Sequence, residues 1–285
     1  MVSGPPADGL GVRAASREIL ASARDVSLGD LSPLIQLIKD DPVPAWDARR
    51  HYSGPRLAEY ILVLDTVNFS FWGGSGGGYW QLAQRLRDAF LAGDPLWEPS
   101  RLRSLSPSDM RSLAGELPML EERAAALREL GAAGDDLLAL IAPTAVETAR
   151  GLARRLRSYD DGPFFKRAQI VPADLWGSGA RSFPDLAGLT CFADYKLPQI
   201  LRHFGALHYS DRLARLVDGW LELAPGSPEE REIRAATVVA VDELRDALAG
   251  AGRDLLAIQV DWLLWHRAQG LFPVRPYHRV RTVYY

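Results

Sequence analysis

An all-helical, single-domain fold is predicted by three observations. Apolar residues recur at three- and four-residue spacing through most of the chain, helix-start and helix-stop residues bracket those runs, and runs of strand-forming residues are few and short. At 285 residues, 47% hydrophobic and 24% charged, the chain has the balance of a folded globular protein and enough length to bury a core.

The elements follow in order. Residues 79–92 place Leu82, Leu86 and Phe90 four apart, with Arg85, Arg87 and Asp88 around them and Gly93 as the stop. Residues 118–130 align Leu120, Ala124, Leu127 and Leu130 on one stripe, closed by Gly131. Residues 197–204 suit a helix, 205–209 a tight hairpin, and Ser210 caps a second helix opening at Asp211. A helix-hairpin-helix of this kind occurs in base-excision glycosylases and in many proteins that never meet nucleic acid. Ser227, Pro228, Glu229 and Glu230 supply an N-cap, a first-turn proline and first-turn acids for a helix reaching about Gly250. Residues 254–269 form the last helix, ended by Gly270, and only 61–64 and 282–285 carry strand-forming types.

Composition excludes several classes. A net charge of −3 argues against a duplex-coating nucleic-acid binder, whose affinity comes from neutralising phosphates. The single cysteine, Cys191, makes no internal disulfide and reads as a small core residue. The opening MVSGPPADGLGVR lacks the charged start and apolar run of a signal peptide, and the apolar stretch from Tyr60 to Trp72 is interrupted by Asp65 and Asn68. A soluble cytoplasmic protein is expected. The five histidines show no metal-ligand spacing, no GxSxG marks a nucleophilic serine, and the glycine run 73–78 lacks the phosphate-loop pattern. That run is expected to be a mobile loop, a conceivable lid beside an aromatic cluster. Of the 33 basic residues only Lys39, Lys166 and Lys196 are lysine, a bias that GC-rich coding explains.

Aromatic, amide and charged residues alternate densely in five segments: 65–72, 164–169, 192–196, 261–267 and 276–285. Charged groups in an aromatic setting are costly unless something uses them, so a shared aromatic pocket is expected. Lys166 and Lys196 both fall inside these segments, where a compact point charge suits a specific contact.

The motifs DTVNFSFW, FFKRAQIVPADLW, LTCFADYKLPQILRHFGALHYS, EEREIRAATV, IQVDWLLW and PYHRVRTVYY resemble, in this order, those of the queuosine salvage proteins, from about residue 15 onward. The resemblance implies a flexible segment 1–14 before one domain spanning 15–285. It also implies a fold similar to the helix-hairpin-helix DNA glycosylases. The implied activity is hydrolysis of the N-glycosidic bond of queuosine 5′-monophosphate, releasing the 7-deazaguanine base queuine for reuse in tRNA modification.

Such a cleavage passes through an oxocarbenium-like sugar that a carboxylate stabilises while activating water or attacking directly. The resemblance places the catalytic aspartate at Asp194. Asp261 and Asn68 are candidates for the guanine-like face of the base, and Phe69, Trp72, Tyr195 and Trp265 for stacking on it. Lys166, Lys196, Arg279 and Arg281 are available to the 5′-phosphate, and Tyr285, with Tyr284, is expected to close the pocket. No metal or organic cofactor is called for. The expected partner is a small nucleotide, with no nucleic-acid polymer and no membrane, and a monomer is favoured. The alternatives are a DNA or RNA base glycosylase, which the absence of a basic stripe disfavours, and a non-catalytic carrier of a 7-deazaguanine base.

Overall fold

Helices dominate the computed structural model, which describes residues 8–74 and 77–285. The chain runs through Val12–Ala21 (α1), the short strand Val26–Leu28 (β1) and Ser32–Ile38 (α2). It continues through Leu57–Thr66 (α3), Gly78–Leu91 (α4), Pro99–Arg103 (α5), Pro107–Ala114 (α6), Leu120–Ala132 (α7), Ala145–Arg155 (α8) and Lys166–Gly177 (α9). Lys196–His203 (α10), Leu207–Tyr209 (β2), Asp211–Asp218 (α11), Pro228–Gly250 (α12) and Ala257–Gln269 (α13) complete it.

These elements form two compact units. The first comprises residues 1–44, 162–166 and 185–281, and the second 45–161, 167–184 and 282–285. In the first unit the 23-residue α12 is the central element, its Ile233, Ala236, Val241, Leu244 and Leu248 fully or almost fully buried. Ser227 caps it by accepting from the Glu230 amide, and Pro228 occupies the first turn. Around it pack α1, α2, α10, α13 and both strands. In the second unit α3 is buried on every side and packs on α4 and α7, while α7 also receives α5 and α6.

Four local expectations are corrected. Residues 61–64 are not a strand but the middle of α3; all-round burial erases the amphipathic period and leaves a run that imitates a buried strand. Residues 282–285 form no strand either: the Thr282 and Tyr285 backbone oxygens accept from Ser70. Residues 205–209 do not close a hairpin on themselves. Their strand, β2, pairs antiparallel with β1, Val26 opposite Tyr209 and Leu28 opposite Leu207. Ser210 does cap α11 as expected, accepting from the Leu213 amide. Gly131 does not stop α7; it lies inside the helix, where a Cβ would meet the Pro99 carbonyl oxygen at 2.7 Å, so its smallness admits α5.

Residues 1–7 of the segment expected to be flexible lie outside the described residues, as do Ser75 and Gly76 of the glycine run. Order begins before residue 15. Val12 opens α1 fully buried, and the Arg13 guanidinium donates to Asp242 Oδ2 at 2.9 Å and to the Leu189 carbonyl at 2.6 Å.

Asp242 is buried beside Arg13 and Arg245. Arg13→Ala leaves Asp242 its Arg245 partner but removes the donor of a buried charge-assisted bond and of the Leu189 carbonyl, so it should cost roughly 1–3 kcal/mol in urea unfolding. A loss below about 1 kcal/mol would mean that the pair is replaced by solvent.

Two histidines add a pH dependence. Burial pushes His51 down to about 4, and burial together with the neighbouring Arg234 charge pushes His278 down to about 3. Both rings are neutral in the fold at neutral pH, whereas unfolding returns them to about 6.5. The unfolded chain therefore binds more protons below that value, and stability falls as pH drops from about 6.5 toward 5. Urea midpoints should decline across this window, and a His51→Gln/His278→Gln variant should decline less steeply; equal slopes would assign the loss to other groups.

Candidate functional site

The segment leading into α10 is held from three sides within the first unit. The Phe192 amide donates to Asp261 Oδ2 on α13 at 2.7 Å. The Ala193 carbonyl accepts from Arg234 Nε on α12 at 2.9 Å. Asp194 Oδ1 then accepts from the Lys196 and Leu197 amides at 2.7 and 3.0 Å, so this carboxylate caps the first turn of α10. Asp261 and Arg234 are both 3% exposed, and each is anchored deep in its helix. The Arg234 guanidinium also lies 4.3 Å over the Phe164 ring. Asp194 itself is half-buried, and among the described residues its Oδ2 makes no hydrogen bond. One oxygen of the carboxylate is thus fixed by the α10 amides.

Two cations and three aromatic rings accompany it. Lys196 Nζ donates to Gln199 Oε1 at 2.7 Å, and Gln199 Nε2 donates to the Arg275 carbonyl at 2.7 Å. Burial lowers the Lys196 ammonium from its ordinary value, and the Asp194 charge opposes that shift. The same ammonium lies 6.0 Å from the centroid of Tyr277, which packs on Tyr195 at 4.8 Å and edge-on to Trp220 at 5.3 Å. Arg279 sits 4.2 Å over the Trp220 ring and hydrogen-bonds the Tyr277 hydroxyl, which opposes the upward push of burial on that phenol. Lys166, buried, is the first residue of α9 and follows Phe165, whose φ of 50° is left-handed. Arg281 is exposed, and Trp265 is half-buried on α13 with His266 edge-on at 5.4 Å.

The remaining expected residues belong to the second unit. Asn68, Phe69 and Ser70 form the turn after α3, with Ser70 at a left-handed φ of 43°. Arg123 of α7 donates to the carbonyls of Val67, Phe69 and Ser70, and Arg167 of α9 to those of Thr66 and Ser158. The two guanidiniums lie 4.5 and 4.9 Å from the Phe69 centroid. The Phe69 ring, expected to stack on the base, is fully buried here against these two cations. Asn68 is 9% exposed at the edge of the turn, and Trp72 is half-buried beyond it. The Tyr285 ring is buried too, and its backbone oxygen accepts from the Ser70 amide at 2.9 Å, so this residue supports the turn.

Sequence reasoning missed Arg234, Arg123, Trp220 and Tyr277. A signal existed for the first two. Arg234 directly follows Ile233 and precedes the apolar run 235–241, and Arg123 stands three residues after Leu120 and four before Leu127, on the buried stripe. A charge on an apolar stripe requires a buried partner. Among the described residues no group of His, Cys, Asp or Glu is arranged to hold a metal ion.

Comparison with known proteins agrees with the motif pattern. The chain is 41% identical to a queuosine 5′-phosphate N-glycosylase/hydrolase of Sphaerobacter thermophilus, over 98% of this chain and 99% of that protein. It is 34% identical to the protein of that name from Dictyostelium discoideum, over 80% and 78% of the two chains. With the Mus musculus protein of the same name it shares 29% identity over 99% and 100%. Residues 49–285 match the family model described as queuosine salvage protein. That match takes in every residue of the clamp around Asp194 and of the turn at Asn68, and the chain belongs to the queuosine salvage protein family.

Proposed function

We propose that this protein is a nucleotide N-glycosidase that hydrolyses queuosine 5′-phosphate and releases queuine. The relatives that carry this activity in their names support it, and the observation that carries it is the Asp194 carboxylate, with one oxygen fixed by the α10 amides and the other disengaged. In the reaction the C1′–N bond breaks with its electron pair on the base, and water adds its oxygen to C1′. Positive charge develops on the sugar, and a fixed carboxylate is worth most where charge appears only in the transition state. Asp194 stabilises that charge and receives the proton of the attacking water. The departing base takes a proton from solvent, at a position other than its carbon-substituted N7 site. Asp194 returns its proton to solvent, so one water is consumed and no net proton.

The other candidate residues take roles by chemistry. Asp261 and Asn68 offer acceptors to a guanine-like face, and Asp261 also orients Asp194 through the Phe192 amide. Trp72, Tyr195 and Trp265 supply aromatic faces. Lys166, Lys196 and Arg279 supply cations for the 5′-phosphate, and an arriving dianion restores to Lys196 the proton affinity that burial removes. A monomer acting on a small nucleotide in the cytoplasm, rather than on a polymer, is part of the same reading and is in keeping with the net charge of −3.

Incubating the protein with queuosine 5′-monophosphate, followed by chromatography, should yield free queuine. Asp194→Asn should lower kcat by about 10²–10⁴-fold while the substrate still binds. Binding without release by the unaltered protein would identify a carrier, and unchanged release by Asp194→Asn would remove that residue from the chemistry.

A further inference from the structure

Trp220 occupies a backbone position that a large side chain rarely takes. The helix α11 ends at Asp218, and the next residues close it in a Schellman turn: the Trp220 amide donates to the Val217 carbonyl at 3.0 Å and the Leu221 amide to the Leu216 carbonyl at 3.0 Å. The left-handed position in this motif is normally glycine. Here Gly219 sits one residue too early, at φ −80°, and Trp220 adopts φ 59°. A bulky residue at positive φ is a genuine outlier that persists only where surrounding structure imposes it, and such residues gather at functional sites. Hydrophobic burial does not account for it, because Trp220 remains 42% exposed.

What the ring does touch is specific. Arg279 lies 4.2 Å over its face, and Tyr277 meets it edge-on at 5.3 Å. The backbone repeats the connection: Glu222 bridges Arg279 in parallel, and the Leu223 amide donates to the Arg279 carbonyl at 2.8 Å. Tyr277 links this pair to Lys196, two residues from Asp194. Stacking on an aromatic face holds the plane of a guanidinium while its N–H edge keeps the geometry that suits a phosphate oxygen. The hydrogen-bond partner of Lys196 Nζ is the neutral Gln199 amide.

We infer that Trp220 is a positioning residue that presents Arg279, in a row with Tyr277 and Lys196, to the 5′-phosphate of the nucleotide and so sets preference for the phosphorylated substrate. This rests on the N-glycosidase reading above.

The test compares steady-state hydrolysis of queuosine 5′-monophosphate and of queuosine by the full chain and by Trp220→Gly, with thermal melting of both. Glycine takes the left-handed position freely, and Trp220→Asn, which also tolerates it, provides a second ring deletion should the first fold poorly. Loss of the ring should raise KM for the 5′-monophosphate by about tenfold, as expected for a lost cation–π contact, and reduce preference over queuosine by a similar factor. Trp220→Phe should retain most of the preference. Adding Arg279→Ala to Trp220→Gly should cost little more than either change alone, because both remove one interaction. Equal losses on the two substrates, an unchanged KM, or fully additive losses would overturn the assignment. No queuine from either substrate with the unaltered protein would overturn the N-glycosidase reading itself, a result distinct from these.

Discussion

Irregular segments that carry the candidate site residues are held by buried guanidiniums donating to main-chain carbonyls. In the first unit Arg13 takes the Leu189 carbonyl and Arg234 the Ala193 carbonyl, so the stretch before Asp194 is fixed at two points by arginine and at a third by Asp261. In the second unit Arg123 and Arg167 take the carbonyls at the end of α3 and in the turn at Asn68. A helix end and a buried turn both leave carbonyls without partners, and each unmet one costs about 1–3 kcal/mol. The planar five-donor fork can meet several at once, which a single ammonium cannot. Geometry explains why lysine would not serve at these four positions.

The same economy of donors separates two kinds of cation. Those that shape the backbone are sequestered: Arg123 and Arg167 are almost fully buried and occupied with carbonyls and the Phe69 ring. Lys196 and Arg279 instead lie against Tyr277 and Trp220, half-buried. These aromatic settings restrict the motion of both cations, which suits contact with a ligand that brings its own negative charge.

Much of this was legible in the sequence, and the rest was hidden for definable reasons. The helices at 79–92 and 118–130, the Ser210 and Ser227 caps, and the helix preceding Gly270 follow directly from periodicity and capping chemistry. Residues 61–64 misled because a helix buried on all sides has no polar face to reveal its period. The pairing of β2 was invisible because its partner, Val26–Leu28, lies far away in the chain and is too short to announce itself. At the site, FADYK pointed to Asp194, and Arg123 and Arg234 stood on apolar stripes that signal buried charges. The carbonyls they meet lie 56 and 41 positions away and could not be read from the sequence. Trp220 was hidden for another reason: residue type alone does not disclose a left-handed backbone.

The tie from Ser70 to Thr282 and Tyr285 carries a consequence for how the molecule is made. The Ser70 hydroxyl meets a carbonyl 212 positions later in the chain, and the second unit includes residues 282–285 although residues 185–281 belong to the first. During synthesis the turn bearing Asn68 therefore emerges long before its final partners exist, and it must wait without them. Contacts of such sequence separation slow folding, since loop-closure entropy is lost before the contact is gained. Final ordering of the Asn68 turn therefore depends on residues 282–285, a constraint that lies wholly within the second unit.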